Sequence, residues 1–164
     1  MKQIADIRIQ PLVPDDVEVA ARVVMETFRT HVAPHYSQQG IEEFAKYAEP
    51  DSLQGRHGHG HQTWTAKIGD AIVGVLEIRF PNHIAMLFVS TNHQGIGIGR
   101  RLVEHAKAQV LNVSPDAETL TVHSSPNAIP AYRKLGFREC GGMQEKNGIK
   151  FQQMTMELKA YPIL

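Results

Sequence analysis

Hydrophobic and polar positions along this 164-residue chain follow two different periods, which predict strands and helices in turn. Residues 6–13 alternate with a period of two and predict a first strand. Pro14 and the two aspartates after it are start signals for a helix over VEVAARVVMETF. A second helix is predicted after Ser37, over GIEEFAKYAEP, ending at Pro50. The Gly- and His-rich segment 51–61 is predicted to be a mobile loop.

Strand patterns dominate the middle of the chain. The segments TWTAKI (63–68) and AIVGVLEIRF (71–80) flank a Gly-Asp turn and predict a hairpin. A third antiparallel strand, HIAMLFVS (83–90), is a nearly continuous apolar run, which predicts burial on both faces. The helical period returns after Gln94, where apolar residues recur at spacings of three and four.

The remaining elements are a strand, a short helix and two further strands. TLTVHSS (119–125) alternates as a strand does, and Pro126 opens a helix over NAIPAYRKL. Gly136 follows that helix as a typical C-cap. Two last strands are predicted near 137–145 and 149–158.

The predicted order is βααβββαβαββ, an α/β fold with a mixed central sheet, in one domain spanning residues 1–164. The helix between 83–90 and 119–125 makes these two strands a parallel pair with a right-handed connection. Ligands of open α/β sheets favour the carboxyl ends of such strands. The functional site is therefore expected at that edge.

Composition narrows the class of protein. Lys+Arg and Asp+Glu both number 17, so the balanced charge gives no reason to expect a nucleic acid or an anionic membrane as partner. The amino terminus lacks the apolar run of a signal peptide, and no stretch approaches the roughly 20 apolar residues of a membrane span. The lone Cys140 excludes an internal disulfide and is expected to be a free structural thiol in a reducing cytoplasm.

Three alternating glycines, Gly95, Gly97 and Gly99, connect the apolar strand 83–90 to the following helix. Glycines let the backbone approach a ligand closely, and the first N–H groups of a helix together with its dipole attract anions. A phosphate or pyrophosphate site is predicted. Arg100 after Gly99 excludes a Walker loop, and the third glycine of a dinucleotide fingerprint is missing. A glycine turn that merely joins strand to helix is the alternative.

Three histidines at spacing two, His57, His59 and His61, resemble some metal sites. No Cys or carboxylate nearby in the sequence completes a ligand set, so no metal is predicted there.

The spacing Gln-x-x-Gly-x-Gly, filled by Gln94, Gly97 and Gly99, resembles the acyl-CoA pyrophosphate loop of the GNAT superfamily of N-acetyltransferases. The preceding HIAMLFV and the later SSPNAIPAYRKLGF resemble that superfamily's cofactor strand and the strand-helix unit after it. The resemblance covers residues 6 to 158. It implies the GNAT fold, with parallel strands that splay at the cofactor cleft, and acetyl-CoA as the cosubstrate.

Several positions are assigned to the cosubstrate by this resemblance. The pantetheine arm is expected along Leu87, Phe88 and Val89, with a backbone N–H near Val89 polarising the thioester carbonyl. Asn127 matches a position that contacts the arm, and a helix N-cap is its alternative role. The residues expected to hold the pyrophosphate are Gln94, Gly95, Ile96, Gly97, Ile98, Gly99 and Arg100.

The resemblance also implies a general acid. Tyr132 matches the residue that protonates the departing thiolate, and a core tyrosine is the alternative. The general base is open. Glu77, in an apolar run beside the cofactor strand, is the first candidate, followed by His83, His123 or a water chain. A surface Glu77 and histidines that only cap strand ends are the corresponding structural alternatives.

Two functions follow: an N-acetyltransferase acting by direct attack of an amine on the thioester, or a non-catalytic acetyl-CoA sensor. The acceptor is expected to be a small-molecule amine or a protein amino group, and a homodimer is the usual assembly of such domains. The segments expected to bind the acceptor combine aromatic residues and histidines without an anionic cluster, so a polyamine is not specially favoured. They include Phe28, His31, His35, Tyr36 and Phe44.

Overall fold

The computed structural model describes residues 6–159, which form one mixed sheet flanked by helices. Its strands are β1 (Ile7–Pro11), β2 (His61–Ile68), β3 (Ala71–Arg79), β4 (His83–Val89), β5 (Thr119–Ser124), β6 (Arg138–Glu139), β7 (Gln144–Lys146) and β8 (Ile149–Glu157). Its α-helices are α1 (Val17–His31), α2 (Gln38–Tyr47), α3 (Pro50–Arg56), α4 (Ile98–Val113) and α5 (Ile129–Lys134). Within these residues, no helix combines the length and the apolar character that a membrane crossing requires.

The sheet runs in the order β1-β2-β3-β4-β5-β8-β6, and β7 pairs with β8. Strands β4 and β5 are parallel, while the other neighbours in that order are antiparallel. The predicted α/β class and the mixed sheet are confirmed, and so is the parallel pair at its centre.

The parallel pair is short because β4 and β5 diverge. Only His83 and Ile84 are in register with β5, opposite Thr121 and Val122. Immediately afterwards β4 carries a bulge: Ile84 lies opposite Ile78 and Met86 opposite Glu77, which leaves Ala85 as an additional residue. A bulge bends its strand and increases the local twist. Beyond Ala85, no strand within residues 6–159 pairs with the edge of β4 that faces β5.

Helices cover the two faces of the sheet, each over its own apolar cluster. On one face, α4 buries Leu102, Val103, Ala106 and Val110, which are at most 1% exposed. On the other face, α1 and α3 contribute buried residues that include Val24 and Leu53. Burying one such side chain contributes about 1.5–3 kcal/mol, so both helix layers are held mainly by apolar packing.

Three predictions differ from the structure. The predicted loop 51–61 begins instead with α3, because Pro50 sits at the first helical position and Leu53 is fully buried against the core. The predicted strand 137–145 is reduced to the short strands β6 and β7, with Gly141 in the left-handed region between them. Contrary to the prediction, strand β4 is not buried throughout: His83, Ile84 and Met86 are buried, but the divergence from β5 leaves Leu87, Phe88 and Val89 half-buried.

The start of α2 contacts the turn between β7 and β8 so closely that both sides require glycine. A Cβ on Gly40 would overlap the backbone of Gly148, and a Cβ on Gly148 would overlap the Ser37 hydroxyl. The Ser37 hydroxyl also donates a hydrogen bond to the Gly148 carbonyl at 3.4 Å. This contact fixes the β7–β8 hairpin against α2.

Candidate active site

A cavity of about 970 Å³ opens where β4 and β5 diverge. Its walls come from the carboxyl ends of these two strands, from α1 and α2, from the starts of α4 and α5, and from the β7–β8 hairpin. The cavity therefore lies at the edge of the sheet where the sequence predicted the functional site.

The glycine loop forms one end of the cavity. Gly95 and Gly97 have φ of +78° and +95°, a left-handed conformation that other residues adopt only with strain. Gly97 is the N-cap of the 16-residue helix α4 and supplies no side chain to occupy its first N–H groups. These amides and the helix dipole favour an anion at this end.

Not every residue predicted for the anion site lines the cavity. Gln94, Gly95, Ile98 and Gly99 do, whereas Ile96, Gly97 and Arg100 are outside the lining. The Gln94 side-chain amide donates to the Val89 carbonyl at 3.0 Å and so fastens the loop to β4. Arg100 donates to the Lys134 carbonyl at 3.2 Å, joining α4 to the end of α5.

The free edge of β4 forms the long wall of the cavity. Leu87, Phe88 and Val89 all line it and are half-buried. Since β5 has moved away, backbone N–H and C=O groups on this edge are open to a ligand, and buried backbone groups need hydrogen-bond partners. An extended polar arm with amide groups would supply them.

Tyr132 and Asn127 reach the cavity from the opposite wall. Tyr132 is 8% exposed, and burial raises the pKa of its phenol above the ordinary value. Its ring meets Phe137 edge-on, with centroids 5.4 Å apart, which fixes its orientation. Asn127 lies inside the 3-10 turn Pro126–Ala128, so it caps neither that turn, whose N-cap is Ser125, nor α5, whose N-cap is Ala128.

Glu77 is fully buried and lies outside the cavity lining, although the sequence ranked it first as a base. Its carboxylate accepts hydrogen bonds from the Tyr47 hydroxyl at 2.8 Å and from the Arg56 Nε at 2.7 Å. A third partner is the His61 Nδ1, at 3.1 Å. The carboxylate is therefore occupied by protein groups and is separated from the cavity by Tyr47, which does line it.

The two histidines of the sequence prediction both line the cavity and form a pair. Their rings are 4.6 Å apart, and the His83 Nδ1 is 2.8 Å from the Thr121 hydroxyl. Burial first, and then the charges of His123 and Arg79, lower the pKa of His83 to about 4. Burial, followed by Arg79, also lowers the pKa of His123, which is stacked on Phe151 at 4.4 Å. Both rings are neutral near pH 7 and can accept a proton.

Aromatic side chains from α1, α2 and the segment between them line another end of the cavity. Phe28 stacks on Phe44 with centroids 4.1 Å apart, and Tyr36 meets Phe28 edge-on at 5.6 Å. Burial raises the pKa of Tyr36 to about 12. His31 and His35 line the same end, so the structure brings together the residues predicted for acceptor binding.

Other lining residues were missed by the sequence analysis, among them Tyr47, Arg79 and Lys146. Tyr47 had a detectable signal, because it follows Phe44 by three positions on the same helical face. Arg79 and Lys146 had none, since only the folded sheet and the β7–β8 hairpin bring them to the cavity.

The histidine-rich segment is engaged in local structure. The His57 Nδ1 accepts a hydrogen bond from the Thr63 N–H at 3.0 Å, and His61 contacts Glu77. Among residues 6–159, no three His, Cys, Asp or Glu side chains are grouped so that they could hold a metal ion.

Comparison with known proteins identifies the family. The model of the acetyltransferase (GNAT) domain matches residues 32–158, and the chain belongs to this family. The resemblance found in the sequence is thereby confirmed.

Individual relatives match this chain either over a short segment or at low sequence identity. The peptidyl-lysine N-acetyltransferase YjaB of Escherichia coli is 36% identical over 59 residues, which cover 36% of this chain and 37% of YjaB. A GCN5-related N-acetyltransferase from Rhodopseudomonas palustris has a TM-score of 0.79 at 24% identity, covering 96% of this chain and 97% of that one. The PaiA N-acetyltransferase from Thermoplasma acidophilum, solved with coenzyme A, has a TM-score of 0.74 at 17% identity, covering 92% and 98%. The two solved structures share the fold.

Proposed function

We propose that this protein is an N-acetyltransferase, a single domain over residues 1–164, that moves the acetyl group of acetyl-CoA to an amine. The observation that carries the proposal is the divergence of β4 from β5 beyond Ile84, which leaves an open backbone edge leading to the glycine loop. Family membership and the relative solved with coenzyme A support acetyl-CoA as the cosubstrate. The single cysteine supports a cytoplasmic location.

The cosubstrate is proposed to lie along the wall formed by β4. Its pyrophosphate accepts hydrogen bonds from backbone amides between Gln94 and Arg100, where the α4 dipole adds favourable charge. Its pantetheine amides pair with the free edge at Leu87, Phe88 and Val89, and Asn127 contacts the arm from the other side. A backbone N–H near Val89 then stabilises the oxyanion that develops on the thioester carbonyl.

The reaction requires one proton transfer from the attacking amine and another to the departing thiolate. The amine nitrogen attacks the thioester carbon, the C–N bond forms, and the tetrahedral intermediate collapses by breaking the C–S bond. Tyr132 gives its proton to the departing thiolate. The raised pKa keeps the phenol protonated before the reaction but also makes it a weaker acid, so the transfer depends on placing the hydroxyl beside the departing sulfur. Solvent then returns a proton to Tyr132.

His123 is proposed as the group that takes the proton from the amine. It lines the cavity, is exposed enough to pass the proton to water, and has a lowered pKa that keeps the ring neutral. His83 is more buried and contacts Thr121, so its role is to hold the His123 ring by the edge contact. Glu77, the first candidate in the sequence, is given a positioning role instead, because its carboxylate is occupied by Tyr47, Arg56 and His61.

Release of free thiol from acetyl-CoA tests the proposal. The assay uses a panel of amines, amino acids and lysine-containing peptides, the last because the relative YjaB is named for peptidyl-lysine acetylation. Stimulation of thiol release by one acceptor class, with the acetylated amine identified by mass, is the expected result.

Binding of the cosubstrate is measured in parallel. Acetyl-CoA at about 100 times its Kd should raise the unfolding free energy by about 2.7 kcal/mol. If acetyl-CoA binds but no acceptor in the panel stimulates thiol release, the protein is an acetyl-CoA sensor and not an acetyltransferase. Absence of binding would contradict both functions.

A further inference from the structure

Two basic side chains line the acceptor end of the cavity, Arg79 at the end of β3 and Lys146 at the end of β7. Within residues 6–159, neither of them forms an ion pair with a carboxylate. Among the described residues that line the cavity, Glu43 on α2 is the one carboxylate. The charged lining therefore carries more positive than negative charge, which does not suit a polyamine.

Arg79 lies beside the histidine pair. It is in register with His83 across the β3–β4 ladder, so both side chains project from the same face of the sheet. The His83 ring in turn lies 4.6 Å from the His123 ring, and the positive charge of Arg79 contributes to lowering the pKa of both histidines. A group bound by Arg79 is consequently next to the proposed site of amine deprotonation.

Lys146 approaches from the other side of the cavity, on the β7–β8 hairpin. The contact between Gly40 and Gly148 holds this hairpin against α2 and so limits the movement of Lys146 relative to the aromatic wall. That wall, which includes Phe28, Phe44 and Phe88, provides an apolar surface in the same cavity as the two basic residues.

We propose that the acceptor is an amine that also carries a carboxylate and an apolar body, that is, a free amino acid or a close relative. This inference rests on the proposed function. The acceptor carboxylate forms charge-assisted hydrogen bonds with Arg79, whose planar fork suits a carboxylate, and lies in the field of Lys146. The apolar body packs on the aromatic wall, and the amine is left beside His123.

The test compares three acceptors that share one side chain: phenylalanine, phenylalaninamide and phenethylamine, followed by the same triad for leucine. The carboxylate-bearing member should have the highest kcat/KM, by roughly 10- to 100-fold, which is the usual worth of hydrogen bonds to a charged group. The Arg79→Gln variant should lose most of this preference through a higher KM for the amino acids, while KM for phenethylamine stays within about 3-fold.

Control variants separate this role from a structural one. Arg79→Lys keeps the charge without the fork and should restore part of the amino-acid preference. Lys150→Gln removes an exposed cation from β8, outside the cavity lining, and should leave all three KM values unchanged. Acetyl-CoA binding should be the same in all variants.

The outcomes distinguish a failure of the amino-acid inference from a failure of the proposed acetyltransferase function. Equal kcat/KM for all three members, or acetylation confined to phenethylamine-like amines or to lysine peptides, would overturn the amino-acid inference and leave the acetyltransferase standing. The same holds if Arg79→Gln changes nothing. Failure of every acceptor class to stimulate thiol release would overturn the proposed function itself.

Discussion

The carboxylate of Glu77 and the guanidinium of Arg56 lie 2.7 Å apart, with Glu77 fully buried in β3 and Arg56 at the end of α3. The same guanidinium donates to the Tyr47 carbonyl at 2.7 Å and lies 3.5 Å above the centroid of the Tyr47 ring. One ion pair thus joins α2 and α3 to the centre of the sheet, and through Tyr47 it supports the acceptor end of the cavity.

Replacing Glu77 by glutamine should destabilise the fold, because it leaves the Arg56 charge without its buried partner. A loss of about 3 kcal/mol in the unfolding free energy is expected from urea denaturation. Glu139→Gln is the matched control: it removes an ion pair of similar length, 2.6 Å to Arg133, from the surface, and no measurable loss is expected.

The same Glu77→Gln variant distinguishes a positioning residue from a base. If Glu77 only positions Tyr47, the acceptor KM rises and the acidic limb of the pH–rate profile stays where it is in the wild type. If the acidic limb of the pH–rate profile disappears in a folded Glu77→Gln protein, Glu77 is the general base.

Tyr132→Phe should lower kcat by roughly 10²- to 10⁴-fold, because the leaving thiolate loses its proton donor. The Kd for acetyl-CoA should change little, since the phenol is assigned to the leaving sulfur and the ring remains. Tyr36→Phe removes a second cavity phenol at the aromatic end, and its kcat should stay within a few-fold of the wild type. Equal losses of kcat in Tyr132→Phe and Tyr36→Phe would show that Tyr132 is not the proton donor to the thiolate.

Gly95→Ala should weaken acetyl-CoA binding at least about 10-fold. Gly95 has φ of +78° and lines the cavity, so an alanine there strains the loop by about 1–2 kcal/mol and adds a methyl group where the pyrophosphate is expected. Gly69→Ala imposes comparable strain at φ +59° in the β2–β3 turn, away from the cavity. Calorimetric titration should show reduced affinity only for Gly95→Ala; an equal Kd in the two variants would contradict the phosphate site.

Stability should fall as the solution is acidified from pH 6.5 towards pH 4. The folded protein holds the pKa of His83 at about 4, below the unfolded value of 6.5, so the unfolded chain binds more protons between these values. The contribution of His83 is about 2 kcal/mol after allowance for solvent screening, present above pH 6.5 and lost by pH 4. His83→Gln should flatten this dependence in denaturation series at several pH values, whereas an unaltered slope would show that His83 is not the group responsible.

Local patterns predicted most of the fold because they report directly on backbone period. The hairpin of β2 and β3 followed from alternation and a Gly-Asp turn, and α4 from its buried stripe. Helix α3 was missed because Gly and His dominate the segment, whereas its stability comes from Leu53 in the core and from Arg56 on Glu77. That ion pair joins residues 21 positions apart, a distance at which periodicity carries no information.

The candidate site was predictable where it depends on one continuous segment. The glycine loop and the free edge of β4 are of this kind. The sequence left the base open among Glu77, His83, His123 and a water chain, because it does not show how each side chain is surrounded: in the structure Glu77 is enclosed by protein groups, while His123 lines the cavity. Arg79 and Lys146 line the same cavity only after two separate hairpins have formed.

The additional residue in β4, Ala85, widens the cleft between β4 and β5 without changing which neighbouring side chains belong to each apolar cluster. Ile84 and Leu87 contribute to the cluster under α4, and Met86 and Phe88 to the cluster under α1, an assignment that plain alternation without Ala85 would also produce. Loss of this residue would therefore leave every neighbouring side chain on its present side of the sheet while allowing β4 to stay alongside β5. We therefore expect that deletion of a single codon would narrow the slot for a ligand and leave the two apolar clusters with their present members.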